Sequence, residues 1–97
     1  MARVVLARRA RAELFELDWP LIDAVEKALG LLERDPYAGY ELLGRLRGLR
    51  SLRLGSYRII YQLVDRDSTV RVAAIRHRSV VYRSDPRQPL RRGKRRS

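Results

Sequence analysis

The amino-acid sequence predicts an α+β domain: an N-terminal strand and a helical hairpin packed on one face of a mostly antiparallel four-stranded sheet. Three observations lead there. Helix-period apolar residues are confined to the first 35 positions, strand-like runs dominate from residue 50 onward, and 97 residues suffice for one core. Segregated helices and strands favour a layer of helices against a sheet over alternating βαβ units.

Arg3–Leu6 is short, apolar and β-branched, and reads as a strand. Arg8–Leu17 reads as a first helix, because Ala10, Leu14 and Leu17 fall at i, i+4 and i+7 on one face. Pro20 marks a second helix start, with Asp18 placed to cap it. Leu21, Ile22, Val25, Ala28, Leu29 and Leu32 then form the clearest helical stripe of the chain, closed by Asp35-Pro36. So short a link makes the two helices an antiparallel hairpin.

Residues 36–48 carry one proline and three glycines and read as a connector, with a short strand expected near Leu42–Leu46. Arg50–Leu54 alternates, Leu52 and Leu54 on one face and Ser51 and Arg53 on the other. Gly55-Ser56 is a tight turn. Tyr57–Val64, apolar on both sides, reads as a central strand. Asp65–Ser68 is a polar turn, Thr69–Ile75 the next strand, and Arg76-His77-Arg78 a basic segment before Val80–Arg83. The expected domain spans residues 1–84. Residues 85–97, with six basic side chains, one acidic and almost nothing apolar, read as a disordered basic tail. With the helices on one face, the other face of the sheet is expected to lie open, with Ser51, Arg53, Arg58 and the Arg76–Arg78 segment contributing to it.

Composition removes several chemistries. Cysteine is absent and His77 is the single histidine, which argues against thiolate catalysis, a disulfide framework and a zinc site, so no metal and no small-molecule cofactor is expected. Val4-Val5-Leu6 is too short for a signal-peptide core or a membrane span, and the expected compartment is the cytoplasm. No carboxylate pair, phosphate-binding glycine loop or Ser-His-Asp arrangement stands out. The net charge of +11 is unevenly placed: residues 1–41 hold 6 basic and 8 acidic side chains, residues 42–97 hold 16 and 3. A polyanion would meet the second half. The blander reading of the same count is a solubilising cationic surface.

The residues left to carry chemistry are Arg50, Arg53, Arg58, Arg76, His77, Arg78 and Tyr82. Arg58 interrupts an apolar strand and needs water or a partner, with Glu13 or Glu41 as structural alternatives. Arginines converging from adjacent strands, with an aromatic side chain for stacking, suit metal-free RNA cleavage. That reaction requires in-line alignment of a 2′-hydroxyl and stabilisation of developing charge.

The segments Leu46-Arg47-Gly48, Leu52–Tyr61 (Leu-Arg-Leu-Gly-Ser-Tyr-Arg-Ile-Ile-Tyr) and Ile75–Arg83 (Ile-Arg-His-Arg-Ser-Val-Val-Tyr-Arg) resemble the RelE/ParE toxins of type II toxin–antitoxin modules. The resemblance covers roughly residues 2–84 and is closer to RelE, because Arg58, Arg76 and Tyr82 are retained. It implies a RelE/ParE-like fold and a ribosome-dependent mRNA endoribonuclease that makes a cyclic phosphate, held in check by a cognate antitoxin. It also implies roles. Arg53 matches a basic position near the attacking hydroxyl, Arg58 the arginine that stabilises phosphate charge, Arg76 the basic group near the leaving oxygen, and Tyr82 the residue that orients or stacks substrate. Arg50, His77, Arg78 and Arg83 would be RNA contacts. The chain departs from the RelE pattern at Ser51, where a basic residue is common, and at Arg53, where some members carry lysine. Arginine is a poor general base, so proton removal would fall to His77 or Tyr82. Two other readings stay open: a ParE-like, non-enzymatic inhibitor of DNA gyrase, and a basic RNA- or ribosome-binding module.

Overall fold

The computed structural model of the chain describes residues 1–81. Strand β1 (Arg3–Leu6) leads into helices α1 (Arg8–Phe15) and α2 (Trp19–Arg34). The two-residue strand β2 (Tyr40–Glu41) and a single 3-10 turn at Gly44–Leu46 follow. Strands β3 (Arg50–Leu54), β4 (Tyr57–Val64) and β5 (Thr69–His77), then the short helix α3 (Arg78–Val81), complete the described chain. The sheet order is β1-β5-β4-β3-β2, with β1 parallel to β5 and every other pair antiparallel.

The α+β class and the one-sided helical hairpin are as the sequence predicts, but the sheet has five strands rather than four. The extra one, β2, lies two residues upstream of the expected Leu42–Leu46 strand, which is instead broken by the 3-10 turn. Tyr40–Glu41 is a strand only because it meets Ser51 and Arg50 on β3. Helix α1 stops at Phe15, short of the expected Leu17, although Leu17 still packs on the core. Asp18 stands at the N-cap of α2 with extended backbone but makes no side-chain capping bond.

Two cores sandwich the sheet. The larger joins Ala10, Leu14, Val25, Ala28 and Leu32 of the helices to Ile59, Tyr61, Val70, Val72 and Ile75 of the central strands. A smaller one lies on the other face, where Leu42, Leu46 and Leu49 fold over Ile60 and Ala74. The face expected to lie open is therefore half covered, because three leucines of the 42–49 connector find apolar strand residues there to bury. Ser51, placed on that face by alternation, is fully buried rather than exposed.

The connector is anchored by buried polar contacts. Tyr61 Oη donates to Pro36 O at 2.8 Å and accepts the Gly39 N–H at 2.9 Å. Gly39 admits no side chain, since a Cβ there would lie 2.7 Å from Ser51 O and 2.8 Å from Tyr61 Oη. Gly55, at φ +61°, opens the two-residue hairpin between β3 and β4, where a left-handed residue matches strand twist.

Candidate nucleic-acid interface and active site

Strand register brings three of the sequence-predicted residues into a single row. Arg53 on β3 is paired with Arg58 on β4, and Arg58 with Arg76 on β5. Directly opposed residues of antiparallel strands have Cα atoms about 4.5–5.5 Å apart and share a face. The row lies on the side of the small core, next to the Ser51–Ile60–Ala74 row that the leucines cover.

Arg76 reaches this face because β5 is irregular. Ile60 pairs with Ala74 but Tyr61 pairs with Val72, leaving Ala73 as an inserted residue. Val72 and Ile75 both face the helices, a spacing of three that simple alternation forbids. The bulge reverses the alternation, so that Arg76 joins Arg58 instead of entering the main core.

Electrostatically the row is unfavourable by itself, since like charges opposed across a sheet destabilise it. Arg76 has a carboxylate: its Nε lies 2.8 Å from Glu13 Oε2 on α1. The other oxygen, Oε1, accepts the Ile75 N–H at 2.9 Å. This is where β5 runs beyond β1, whose pairing ends at Leu6–Val72. Glu13 thus closes a bare sheet edge and fixes one arginine of the row, whereas the sequence offered it as a partner for Arg58. Arg58 is half-buried, and its Nη1 donates to Tyr40 Oη at 3.2 Å. Its buried Nε has no partner among the described residues. Arg53 is exposed. The row thus offers phosphate-binding nitrogens without a matching set of acids.

Other expected residues lie elsewhere. Arg50 is paired with Tyr61, which puts it on the helix side of the sheet. Its Nε and Nη2 donate to Gly39 O at 3.1 and 2.7 Å, and its guanidinium lies 5.3 Å from the Tyr37 ring centre. His77 shares the parity of Ile75 and packs edge-on against Tyr57, at 5.5 Å between ring centres. Its Nδ1 accepts the Ser79 N–H at 3.2 Å and lies 2.9 Å from Ser79 Oγ. Neither Arg50 nor His77 shares the face of the row. Arg78 is exposed at the start of α3, its N–H donating to Ser56 O at 2.8 Å. Tyr82, Arg83 and the 85–97 tail lie outside the described residues.

The exposed Tyr40 has no signal of its own in a connector read from its glycines and proline, and Glu13, one of two acids offered as a partner for Arg58, pairs with Arg76 instead. Arg45 and Arg47 are exposed on the connector that covers the small core; of the two, the sequence reading singles out Arg47 alone, within the Leu46-Arg47-Gly48 resemblance. Among the described residues there is no group of three His, Cys, Asp or Glu side chains able to hold a metal, and no helix long and apolar enough to cross a membrane. A concavity between Tyr37, Glu41, Gly48, Arg50, Leu63 and Asp67 is lined by none of the three row arginines. The row is a surface suited to a long anionic chain rather than a small-molecule pocket.

The same architecture occurs in solved toxins. The structure superposes on the RelBE2 toxin–antitoxin complex of Mycobacterium tuberculosis with a TM-score of 0.72 and 35% identity, covering 78% of this chain and 96% of that one. The fold is also that of the intact E. coli RelBE complex, at a TM-score of 0.68 and 22% identity over 79% and 96% of the two chains. In sequence, the chain is 38% identical to Toxin RelG of M. tuberculosis over 76 residues, 76% of this chain and 87% of that protein. Residues 4–82 match the family described as the ParE toxin of the type II toxin–antitoxin system parDE. The chain belongs to this RelE/ParE family and is a RelE-like toxin of a type II toxin–antitoxin system.

Proposed function

We propose that the chain is a ribosome-dependent mRNA endoribonuclease that works without a metal. The observation that carries this reading is the Arg53–Arg58–Arg76 row, with a half-buried Arg58 whose Nε is unpaired among the described residues. Such an arrangement costs stability in the free protein and is relieved when an anion docks on it.

The 2′-oxygen of one nucleotide attacks the adjacent phosphorus; an O2′–P bond forms, the P–O5′ bond breaks, and a 2′,3′-cyclic phosphate results. Arg58 neutralises the charge that grows on the non-bridging oxygens. Arg53 and Arg76, on either side of it, hold the attacking and leaving ends in line. Water takes the proton from O2′, and water returns one to the departing O5′, so the proton count balances. The three arginines cannot accept the first, being protonated throughout. Tyr82 remains the proposed group for orienting the substrate, and Arg78 and Arg83 supporting phosphate contacts.

The toxin is neutralised by a cognate antitoxin that covers the arginine face, and it acts in the cytoplasm, where ribosomes and mRNA are found. Primer extension on mRNA from cells expressing the chain tests the assignment. Cuts in register with ribosome-occupied codons are expected. The matched family also bears the name of ParE toxins, so intact mRNA accompanied by gyrase-dependent DNA damage would overturn this reading in favour of gyrase inhibition.

A further inference from the structure

Two tyrosines at the start of the connector are about equally exposed, yet only one of them has a structural explanation. Tyr37 is 55% exposed; its hydroxyl donates to Asp67 and its ring lies beneath the Arg50 guanidinium. Tyr40 is 54% exposed, belongs to neither core, and among the described residues makes one side-chain hydrogen bond, accepting from Arg58 Nη1. Its register places it opposite Ser51, hence on the face of the arginine row and beside it at the β2 edge. A large ring left in water while its hydroxyl touches the central phosphate-binding group is poorly explained by packing.

We propose that Tyr40 is a nucleobase platform of this toxin: its ring stacks on a base flanking the phosphate held by Arg58, and its hydroxyl keeps Arg58 in place. The inference rests on the endoribonuclease reading and adds a substrate-binding residue to it. A single strand offers what the surface lacks, a phosphate for the guanidinium and a flat base for the exposed ring one nucleotide away. Because β2 is a short edge strand, the ring can adjust to its base without disturbing the sheet. Tyr40 is thereby a site for base preference next to a row that reads backbone charge alone.

The test uses the full chain with ribosomes programmed by a defined mRNA. Tyr40→Ala should lower kcat/KM by about tenfold or more, chiefly through KM, and blur the base preference beside the cut. Tyr40→Phe should restore most of that loss, retaining the ring and giving up only the Arg58 contact through a modest fall in kcat. Both variants should melt close to the parent, since the ring supports neither core. An alanine variant with parental kcat/KM and cut-site spectrum, or a phenylalanine variant as poor as the alanine one, would overturn the proposal.

A second arm separates this failure from failure of the nuclease reading. The chain alone is titrated with a short single-stranded RNA and with the same RNA made abasic at one position after another. One abasic position should weaken the parent but leave Tyr40→Ala unaffected, whether or not the chain cleaves. Parental binding indifferent to every base would exclude a platform.

Discussion

Replacing Glu13 with alanine tests how the helical layer supports the arginine face. The carboxylate has two jobs: it accepts the Ile75 N–H at the bare edge of β5 and the Nε of Arg76. Both groups lose their partner in Glu13→Ala. Each hydrogen bond that involves a charged group contributes about 1.5–3 kcal/mol, and breaking a fully buried ion pair costs about 3–5 kcal/mol. The side chains of Arg76 and Glu13 are 12% and 23% exposed, so water recovers part of that loss. The expected destabilisation is about 2–3 kcal/mol, and each kcal/mol lowers the melting temperature of a domain this size by about 4–8 °C.

Glu13→Gln should fall between. Its carbonyl still accepts from Ile75, but its amide nitrogen then faces Nε, donor against donor. Urea unfolding of the parent, Glu13→Ala, Arg76→Ala and the double variant would measure the coupling directly, expected at about 1 kcal/mol or more. A single-variant loss under about 0.5 kcal/mol with no coupling would refute the claim that Glu13 fixes Arg76.

Two other contacts give clear expectations. Tyr61→Phe strips the Gly39 N–H and Pro36 O of their common partner and should cost about 1–3 kcal/mol. Gly39→Ala, driven into Ser51 O and Tyr61 Oη, should cost a comparable amount; denaturant midpoints check both. The hydrogen bond to Asp67 holds the Tyr37 phenol above its ordinary pKa of 10.0, assisted by desolvation and the Asp67 charge. The proton binds the folded state more tightly, so this contribution is complete below about pH 10 and disappears as pH rises through the folded value. Ultraviolet titration should show the Tyr37 phenolate appearing late in the parent and earlier in Asp67→Asn.

The fold was readable wherever a local signal coincided with the structure. Tyr57–Val64 is β4 to the residue, since a β-branched and aromatic run lies between two turns. Trp19–Arg34 follows from the leucine stripe that ends at Asp35-Pro36. Strand β2 was not readable, because two residues have no periodicity and their conformation comes from β3. The lid of Leu42, Leu46 and Leu49 is illegible for a related reason: their i, i+4, i+7 spacing is that of a helix face, but Gly44 and Gly48 take left-handed backbone angles that interrupt any helix there, and their burial depends on Ile60 and Ala74.

At the site, Arg53 and Arg58 follow from a hairpin with a two-residue turn, which fixes their pairing. Arg76 does not, since a regular β5 would have sent it among the helices, and the bulge at Ala73 leaves no mark in the sequence. Arg50 could have been set apart at once. It lies three positions from Arg53, an odd number, and so belongs to the opposite face.

Arg58 is central to the proposed reaction, and cleavage of mRNA on programmed ribosomes under single-turnover conditions tests its role most directly. Loss of one preorganised charge-stabilising donor costs about 10²–10³-fold in rate. Arg58→Ala should therefore cleave at least about a hundredfold more slowly than the parent, with Arg58→Lys only partly restored, since an ammonium cannot reproduce the bidentate fork. An alanine variant that cleaves within about threefold of the parent, at the same positions, would contradict the claim that this arginine row performs the reaction.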